Sequence, residues 1–201
     1  MYDSYKEAVT KQDACSKLQL DSNTKYILFF GFIREYKGLD LLLEAMADER
    51  ICKAGIHLLA AGEYYNKTVE ANNNAIIEKH GLQQVVHLKT DFIPNSEVRY
   101  YFSAADLVVQ PYKHATQSGI TQIAFHFEKP MVVTNVGGLA EVVPDGKVGF
   151  IAEPNPTAIA DAILKFYTPG SLPDMQTHIK NEKKKYTWDT FTEVMMKAVF
   201  G

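Results

Sequence analysis

The sequence predicts an α/β fold with a Rossmann-like, doubly wound parallel sheet of six strands. Short apolar runs rich in β-branched residues recur six times along the 201-residue chain. Most of these runs are nearly continuous in apolar residues, as is typical of strands covered on both faces. Helical patterns separate them, and this alternation predicts right-handed crossovers between parallel strands. In such a sheet the ligand lies beyond the carboxyl ends of the strands.

The six predicted strands share this apolar character and are short enough for a domain of this size. They are 25–30 (KYILFF), 56–61 (IHLLAA), 85–88 (VVHL), 107–110 (LVVQ), 131–134 (MVVT) and 149–152 (GFIA).

The predicted helices are marked by residues typical of helix ends. They are one helix after Gly38, then 67–80, 97–105, 119–127, 156–167 and two within 172–200. Ser96, Ser118 and Asn155 are expected N-caps, because their side chains can accept a hydrogen bond from a free amide of the first turn. Pro156 suits the first helical position, and Gly81 suits the position after a helix.

Composition narrows the class of protein. The net charge of −3 argues against general nucleic-acid binding, which needs a basic surface. Two cysteines, Cys15 and Cys52, are too few for a disulfide framework and fit a reducing compartment.

There is no signal-like segment and no apolar run of membrane-spanning length, so we expect a cytoplasmic protein. The polar, helix-like start leads us to expect a fragment or one half of something larger.

The basic run at 180–186 is interpreted as a solvated helix face. The alternative is a membrane contact at a lipid surface, for which no other feature of the sequence argues.

The loop after the first strand, GFIREYKG, carries the first candidate site. Gly31 allows a close turn, Arg34 offers a planar fork for phosphate oxygens, and Lys37 is a compact charge. A helix starting near Gly38 would add its free amides and its dipole. These features favour a dianionic group such as a diphosphate. The alternative is two ordinary surface cations, and neither common glycine-rich nucleotide fingerprint is present.

Two further loops follow later strands and should lie at the same edge of the sheet, beyond the carboxyl ends of the strands. Residues 111–121 (PYKHATQSGIT) lead into a helix at Ser118 and Gly119, whose amides suit an anion or sugar hydroxyls. Residues 135–143 (NVGGLAEVV) carry paired glycines that permit close backbone approach to a ligand. Ordinary βα loops remain the alternative for both.

The order of these pieces resembles the carboxyl-terminal half of family 4 retaining glycosyltransferases of the GT-B fold. The resemblance rests on ILFFGFIREYKGLDLLLEAMA, LLAAGE, DFIPNSEV, YYFSAADLVVQPY and the stretch from SGITQIAF to GFIAE, and it runs from about residue 25 to 165. It implies a nucleoside diphosphate sugar as donor and an N-terminal half that binds the acceptor. It also implies no required metal and no cofactor. Residues 25–170 then form the nucleotide-sugar-binding domain, 1–24 a helical segment leading into it, and 171–201 helices that close the lobe.

The resemblance also implies roles for individual residues. Arg34 and Lys37, with Gly31 and Gly38, match the basic loop on the donor diphosphate, and Ile93 matches the loop lining the base. The segment from Thr116 to Thr121 matches the loop and helix start that face the sugar and the diphosphate. Four of its residues are assigned to the diphosphate: Ser118, Gly119, Ile120 and Thr121.

One departure from the family pattern concerns acidic residues. Many members carry two glutamates eight positions apart around the second loop. The corresponding places here are Ala115 and Ile123 or, allowing one deletion, Thr116 and Ala124. Contacts to the sugar or ribose are therefore expected from backbone and from neutral side chains, which are Thr116, Gln117, Ser118, Thr121 and Gln122.

We therefore expect the donor-binding domain of a retaining glycosyltransferase, inactive by itself without the N-terminal half. No catalytic residue can be assigned from the sequence, and no His or carboxylate pair has metal-ligand spacing. Two alternatives stay open at this point. One is a nucleotide-sugar epimerase of the same architecture, and the other is a donor-binding lobe without catalysis.

Overall fold

The computed structural model describes residues 5–170 and 172–185, together with Thr192, Met195 and Met196. Six parallel strands form one sheet in the order β3-β2-β1-β4-β5-β6. The strands are β1 (Lys25–Phe30), β2 (Ile56–Ala61), β3 (Val86–Lys89), β4 (Leu107–Gln110), β5 (Met131–Thr134) and β6 (Gly149–Ala152). This is the strand order of a doubly wound nucleotide-binding sheet. The predicted fold class is confirmed.

Helices cover both faces of the sheet. They are α1 (Lys11–Leu18), α2 (Leu39–Met46), α3 (Glu49–Lys53), α4 (Lys67–His80), α5 (Asn95–Ala104), α6 (Gly119–His126), α7 (Leu139–Val142), α8 (Pro156–Phe166) and α9 (Leu172–Lys184). Helix α2 contacts α3, α4 and α8, whereas α1 packs on α5 and α6 packs on α9. Helices α2 and α4 connect strands on one side of β1, and α6 connects strands on the other side, so right-handed crossovers place α2 and α4 on one face of the sheet and α6 on the opposite face.

The sheet interior explains why the strands read as continuous apolar runs. Residues 26–29 of β1 and all of β4 and β5 are buried, since helices exclude water from both of their faces. The register of β1 against β2 pairs Lys25 with Ile56 and Phe30 with Ala61. These two strands therefore end at the same level, and the loops that follow them meet at one edge.

The strand predictions agree with the structure except at β3, which begins and ends one residue later than 85–88. The expected cap Ser96 is wrong: α5 begins at Asn95 with Pro94 in the cap position and no side-chain cap. Ser118 and Asn155 do cap their helices, accepting hydrogen bonds from the amides of Ile120 and Ala158 respectively.

Three short elements were not predicted: α3, α7 and a 3₁₀ turn at Glu35–Lys37. They are too short for an apolar period to show in the sequence. Of the two helices expected within 172–200, the first is α9, and the second lies outside the described residues.

Within the described part of the chain, the helices are all too short or too polar to cross a bilayer.

Candidate functional site

Three loops meet beyond the carboxyl ends of β1, β4 and β5 and enclose a cavity of about 820 Å³. We call it the main cavity. It is lined by Tyr36, Lys37, Tyr112, Lys113, His114, Ala115, Thr116, Gln117, Ser118, Gly119, Ile120, Val136 and Gly137. Its position is the one expected for the ligand of a doubly wound sheet.

The loop after β1 is held by backbone hydrogen bonds on both sides. The amide of Gly31 donates to Ala61 O over 2.9 Å, and the amide of Lys113 donates to Tyr36 O over 2.7 Å. Gly38 has a left-handed φ of 69°, and a Cβ there would collide with the carbonyl oxygen of Pro111. Glycine is therefore required at this position both by the backbone angle and by the neighbouring loop.

Lys37 lies in the main cavity, with its ammonium group 5.8 Å from the centre of the Tyr112 ring. Burial and, to a smaller extent, the nearby charge of Arg34 together lower the pKa of Lys37 to about 8. Among the residues that the structure describes, Lys37 has no acidic partner within ion-pair distance. An anion that enters the cavity would therefore meet an ammonium group that is partly desolvated and is not paired with an acidic side chain.

Arg34 does not line the main cavity. Its guanidinium stacks over Tyr65, 4.5 Å from the ring centre, and it lines a neighbouring cavity of about 360 Å³. We call this one the side cavity. Lys37 thus lines the main cavity and Arg34 the side cavity, and the two side chains are close enough for the charge of Arg34 to lower the pKa of Lys37.

The second loop brings the start of α6 to the main cavity. Ser118 Oγ accepts a hydrogen bond from the Ile120 amide over 3.2 Å and lies 3.1 Å from the Tyr112 hydroxyl. The predicted residues Thr116, Gln117, Ser118, Gly119 and Ile120 all line the cavity.

Two predicted residues of α6 lie away from the cavity lining. The Thr121 side chain is buried and is hydrogen-bonded to the Gln110 side chain over 3.1 Å, so its hydroxyl is occupied inside the domain. Gln122 is half-buried and is absent from the lining of both cavities. Of the α6 residues predicted to contact the donor, only Gly119 and Ile120 therefore line the main cavity.

The third loop packs against the second loop and also lines the main cavity at Val136 and Gly137. A Cβ on Gly137, whose φ is +51°, would collide with Ala115 O, and the Gly138 amide donates to Thr116 O over 3.2 Å. These glycines let the backbone of the third loop pack closely against that of the second loop. Glu141 is exposed and lies outside the lining of the main cavity.

Ile93, the residue predicted to line the base, follows β3. It is half-buried and packs against the core, beside Phe92, which is 69% exposed. Ile93 lines neither the main cavity nor the side cavity. Of the predicted site residues, the main cavity is lined by Lys37, Thr116, Gln117, Ser118, Gly119 and Ile120. The predicted residues outside its lining are Gly31, Arg34, Gly38, Ile93, Thr121 and Gln122.

The main cavity is basic. Lys37 and Lys113 both line it, and the described lining includes no carboxylate. At the positions where the family pattern expects glutamate, Ala115 and Thr116 line the cavity, whereas Ile123 and Ala124 are buried in α6. No group of three or more potential metal ligands occurs among the described residues.

Sequence reasoning did not single out Tyr36, Tyr112 or Lys113. Lys113 forms an ion pair of 2.7 Å with Asp40, which positions its ammonium group beside both cavities. Tyr112 is buried, which raises its pKa to about 12 and keeps its hydroxyl protonated as a partner for Ser118. The signal that could have found Tyr112 and Lys113 is their place just after the buried strand β4, in a loop that leads into the capped helix α6.

Comparison with known proteins gives a family match over most of the chain. The family described as Glycosyl transferases group 1 matches residues 10–186. A D-inositol 3-phosphate glycosyltransferase of Segniliparus rotundus is 32% identical over 145 residues, covering 71% of this chain and 32% of its own length. The human Alpha-1,3/1,6-mannosyltransferase ALG2 is 25% identical over 176 residues, which span 42% of its length. The chain thus spans less than half of these two relatives.

Solved structures show the same fold at low sequence identity. The C-terminal domain of a glycosyl transferase group 1 family protein (LpcC) from Francisella tularensis superposes with a TM-score of 0.78 at 17% identity. The match covers 92% of this chain and 96% of that domain. Anabaena HepE in complex with UDP-glucose matches with a TM-score of 0.76 at 19% identity, over 98% of this chain and 54% of its own. These likenesses establish the fold as one lobe of a GT-B architecture.

Proposed function

The chain belongs to the Glycosyl transferases group 1 family, and we propose that it is the donor-binding half of a retaining glycosyltransferase. In this proposal it binds a nucleoside diphosphate sugar, whose sugar passes to an acceptor hydroxyl with its anomeric configuration kept. Residues 25–170 carry the donor site. The preceding segment and the carboxyl-terminal helices complete the lobe, and an N-terminal half supplies the acceptor surface.

One observation carries the proposal. The main cavity joins an ammonium group of lowered pKa, on Lys37, to the first turn of α6, where Ser118 is the cap. A helix start offers amide hydrogens and a partial positive charge to an anion, and an unpaired cation adds to this field. The diphosphate of a nucleotide sugar gains negative charge as it leaves. Groups fixed at the place where that charge develops lower the barrier.

Recognition of the donor's sugar or ribose would then depend on neutral groups. In the proposal, Thr116 and Gln117 contact the sugar or ribose, with Ser118, Gly119 and Ile120 on the diphosphate. Lys37 is the principal cation, and Arg34 contributes its charge from the far side of the loop. The proposed mechanism requires neither metal nor cofactor, since protein cations and helix amides take the role that a metal ion would have.

Anabaena HepE, of which this chain spans 54%, was solved with UDP and glucose. The diphosphate of UDP is therefore the first ligand to test here. A screen of nucleotides and nucleotide sugars would then show which base and which sugar the chain binds.

A second candidate function is a donor-binding lobe without catalysis. The observation that favours it is the absence of a carboxylate from the described lining of the main cavity. Such a lobe would bind nucleotide but would give no turnover even when joined to an N-terminal half.

The test is a thermal-shift screen with UDP, GDP and ADP, followed by calorimetry. Binding to the native state alone stabilises it by about 2.7 kcal/mol at a ligand concentration about a hundredfold above Kd. Lys37→Ala should weaken diphosphate binding by about one to two orders of magnitude, the value of a charge-assisted contact. Lys147→Ala is the matched control, because Lys147 is exposed and lines neither cavity. No shift with any of the three nucleotides at millimolar concentration would rule out the donor site.

A further inference from the structure

The lining of the main cavity is rich in hydrogen-bond donors and poor in acceptors. It includes the ammonium groups of Lys37 and Lys113, which only donate, whereas the described lining has no carboxylate, which would only accept. Backbone acceptors around the cavity are also partly used. Tyr36 O accepts from the Lys113 amide over 2.7 Å, and Thr116 O accepts from the Gly138 amide over 3.2 Å. Such a lining matches a ligand that carries more acceptors than donors.

Lys37 is placed for the diphosphate. A Cβ at Gly31 would lie 3.1 Å from Lys37 Nζ and 3.2 Å from the Ile120 side chain. The ammonium group therefore lies between the first loop and the first turn of α6, whose free amides attract the same anion. If Lys37 and these amides hold the diphosphate, Lys113 is left for another part of the donor.

Lys113 lies at the other end of the second loop and is held through both its backbone and its side chain. Its amide donates to Tyr36 O, and its Nζ forms an ion pair of 2.7 Å with Asp40. Asp40 lines the side cavity but not the main one. An ammonium group has three N–H donors, so one can bind Asp40 while the others remain for a ligand in the main cavity.

The ion pair with Asp40 also limits the charge of that ligand. The side chains of Lys113 and Asp40 are 29% and 34% exposed, so their pair is screened by water and contributes little to stability. A carboxylate supplied by a ligand can therefore share the ammonium group with Asp40. A phosphate with two charges would be repelled more strongly by Asp40 than a carboxylate with one charge. The site thus favours a monoanion.

We propose that the sugar of the donor is a hexuronic acid, whose carboxylate accepts a hydrogen bond from Lys113 Nζ. This inference rests on the proposed function, because it names the class of sugar that the same site would take. The neutral side chains of Thr116 and Gln117 would contact the ring hydroxyls. The cavity volume of about 820 Å³ lies within the range of about 300–1,000 Å³ that is usual for small-molecule sites, so a whole nucleotide sugar can enter.

The experiment is titration calorimetry of the 201-residue chain at pH 7 with a matched pair of nucleotide sugars. For the base that the thermal-shift screen selects, the pair is the hexose and the hexuronic acid of the same nucleotide, such as UDP-glucose and UDP-glucuronic acid. These two differ only at C6, which is a hydroxymethyl group in one and a carboxylate in the other. The hexuronic acid should bind about tenfold more tightly, the lower end for a charge-assisted hydrogen bond. The difference should shrink as the salt concentration rises.

Three variants locate the source of this preference. Lys113→Met should abolish it. Lys147→Met removes the same charge from an exposed position that lines neither cavity, so it should keep the preference. Asp40→Asn should keep it too, because the amide oxygen of asparagine still accepts a hydrogen bond from Lys113. The replaced side chains are all at least partly exposed, so the variants should fold.

Three results would overturn the proposal. The first is a hexuronic acid that binds no more tightly than the matching hexose. The second is a preference that survives in Lys113→Met, which would assign the carboxylate to another group. The third is an equal loss of preference in Lys147→Met or in Asp40→Asn, which would make it an effect of net charge or of the ion pair.

The nucleoside diphosphate without sugar is titrated in parallel. If it binds and the two sugars do not differ, the assignment of the sugar fails and the donor site stands. If no nucleoside diphosphate binds, the donor site itself fails, and the assignment of the sugar fails with it.

Discussion

Lys37 shows how a buried cation can oppose the stability of its own domain. Burial lowers its pKa to about 8 from an ordinary value of 10.5, so the native state holds this proton less tightly than the unfolded chain does. Below pH 8 the charged form is present in both states, and its desolvation disfavours folding in full. As the pH rises from about 8 to 10.5, this penalty disappears. A bound diphosphate would compensate for it at neutral pH.

We therefore expect Lys37→Met to raise the unfolding temperature of the unliganded chain at pH 7 while weakening UDP binding. The gain over wild type should shrink at pH 9.5, because the penalty in the wild type is then mostly gone. Differential scanning calorimetry at both pH values measures the first effect, and titration calorimetry measures the second. Lys147→Met controls for the loss of a lysine from the surface. A variant that is less stable at pH 7 and binds UDP normally would contradict this account of Lys37.

The same residue should make UDP binding depend on pH. The negative charge of the diphosphate raises the pKa of Lys37 in the complex, so binding above about pH 8 requires proton uptake. Affinity should fall between pH 8 and 10, and calorimetry in buffers of different ionisation enthalpy should detect the uptake. Lys37→Met should show neither effect. Equal proton uptake by the variant would assign the proton to another group.

At the level of helices, the two serines predicted as caps differ in what they contact. Ser118 Oγ accepts from the Ile120 amide and lies beside the Tyr112 hydroxyl, whereas Ser96 lies within α5 and is exposed. Ser118→Ala should lower the free energy of unfolding by about 1 kcal/mol, a typical value for a lost cap. Ser96→Ala should change it by less than about 0.5 kcal/mol. Urea denaturation of the two variants measures both, and equal losses would mean that the Ser118 cap adds no stability.

At the level of strands, a histidine pair joins β2 to β3. His57 Nδ1 lies 3.1 Å from His87 Nε2, and the two rings stack with their centroids 5.4 Å apart. Burial lowers the pKa of both below 6.5, and the charges of His57 and Lys89 lower that of His87 further. One ring must donate and the other accept, so the contact needs at least one neutral ring.

This pair should make the domain sensitive to acid. The unfolded chain takes up protons near pH 6.5, whereas the native rings resist protonation until a lower pH. The stabilisation is therefore complete above about pH 7 and is lost as the pH falls through 6 towards the native pKa values. His87→Gln should reduce the loss of stability between pH 7.5 and 5.5 in urea denaturation. His178→Gln, at an exposed position of α9, is the control. Equal losses in wild type and in His87→Gln would show that the pair has no part in acid sensitivity.

At the level of the whole molecule, the proposed reaction needs a second half. We expect the 201-residue chain to bind donor but to transfer no sugar. Correct positioning of two reactants can supply about 7–11 kcal/mol of barrier lowering, and an open cavity neither holds an acceptor in line nor excludes water. Donor consumption should therefore stay at background for this chain with any acceptor.

The corresponding activity assay uses a protein that joins this chain to an N-terminal half, if its gene encodes one. Acceptor-dependent transfer should then appear, and Lys37→Ala in the joined protein should reduce it. Robust transfer by the 201-residue chain alone would refute the expectation. Donor binding without transfer by the joined protein would favour the lobe without catalysis.

The sequence predicts the positions of helices and strands more accurately than it predicts what individual side chains contact. A run such as KYILFF is apolar because both faces of β1 are covered, so its bounds can be predicted from local pattern. Asn155 and Pro156 mark the start of α8 by chemistry that acts within one helical turn. Ser96 failed as a cap because α5 starts one residue before it, after Pro94. Helix ends are the least certain feature of a periodic pattern.

The amino-acid sequence by itself determined the α/β class, the order of the elements, the three loops at one edge and the family. Each of these depends on local pattern or on motif order. Only the tertiary structure decided that Lys37 faces the main cavity while Arg34 faces the side cavity, and that the glycines at 137 and 138 brace the second loop. It also decided that Tyr112 and Lys113 line the main cavity. These facts depend on contacts between residues far apart in the chain, and no local pattern encodes the direction in which a loop side chain points.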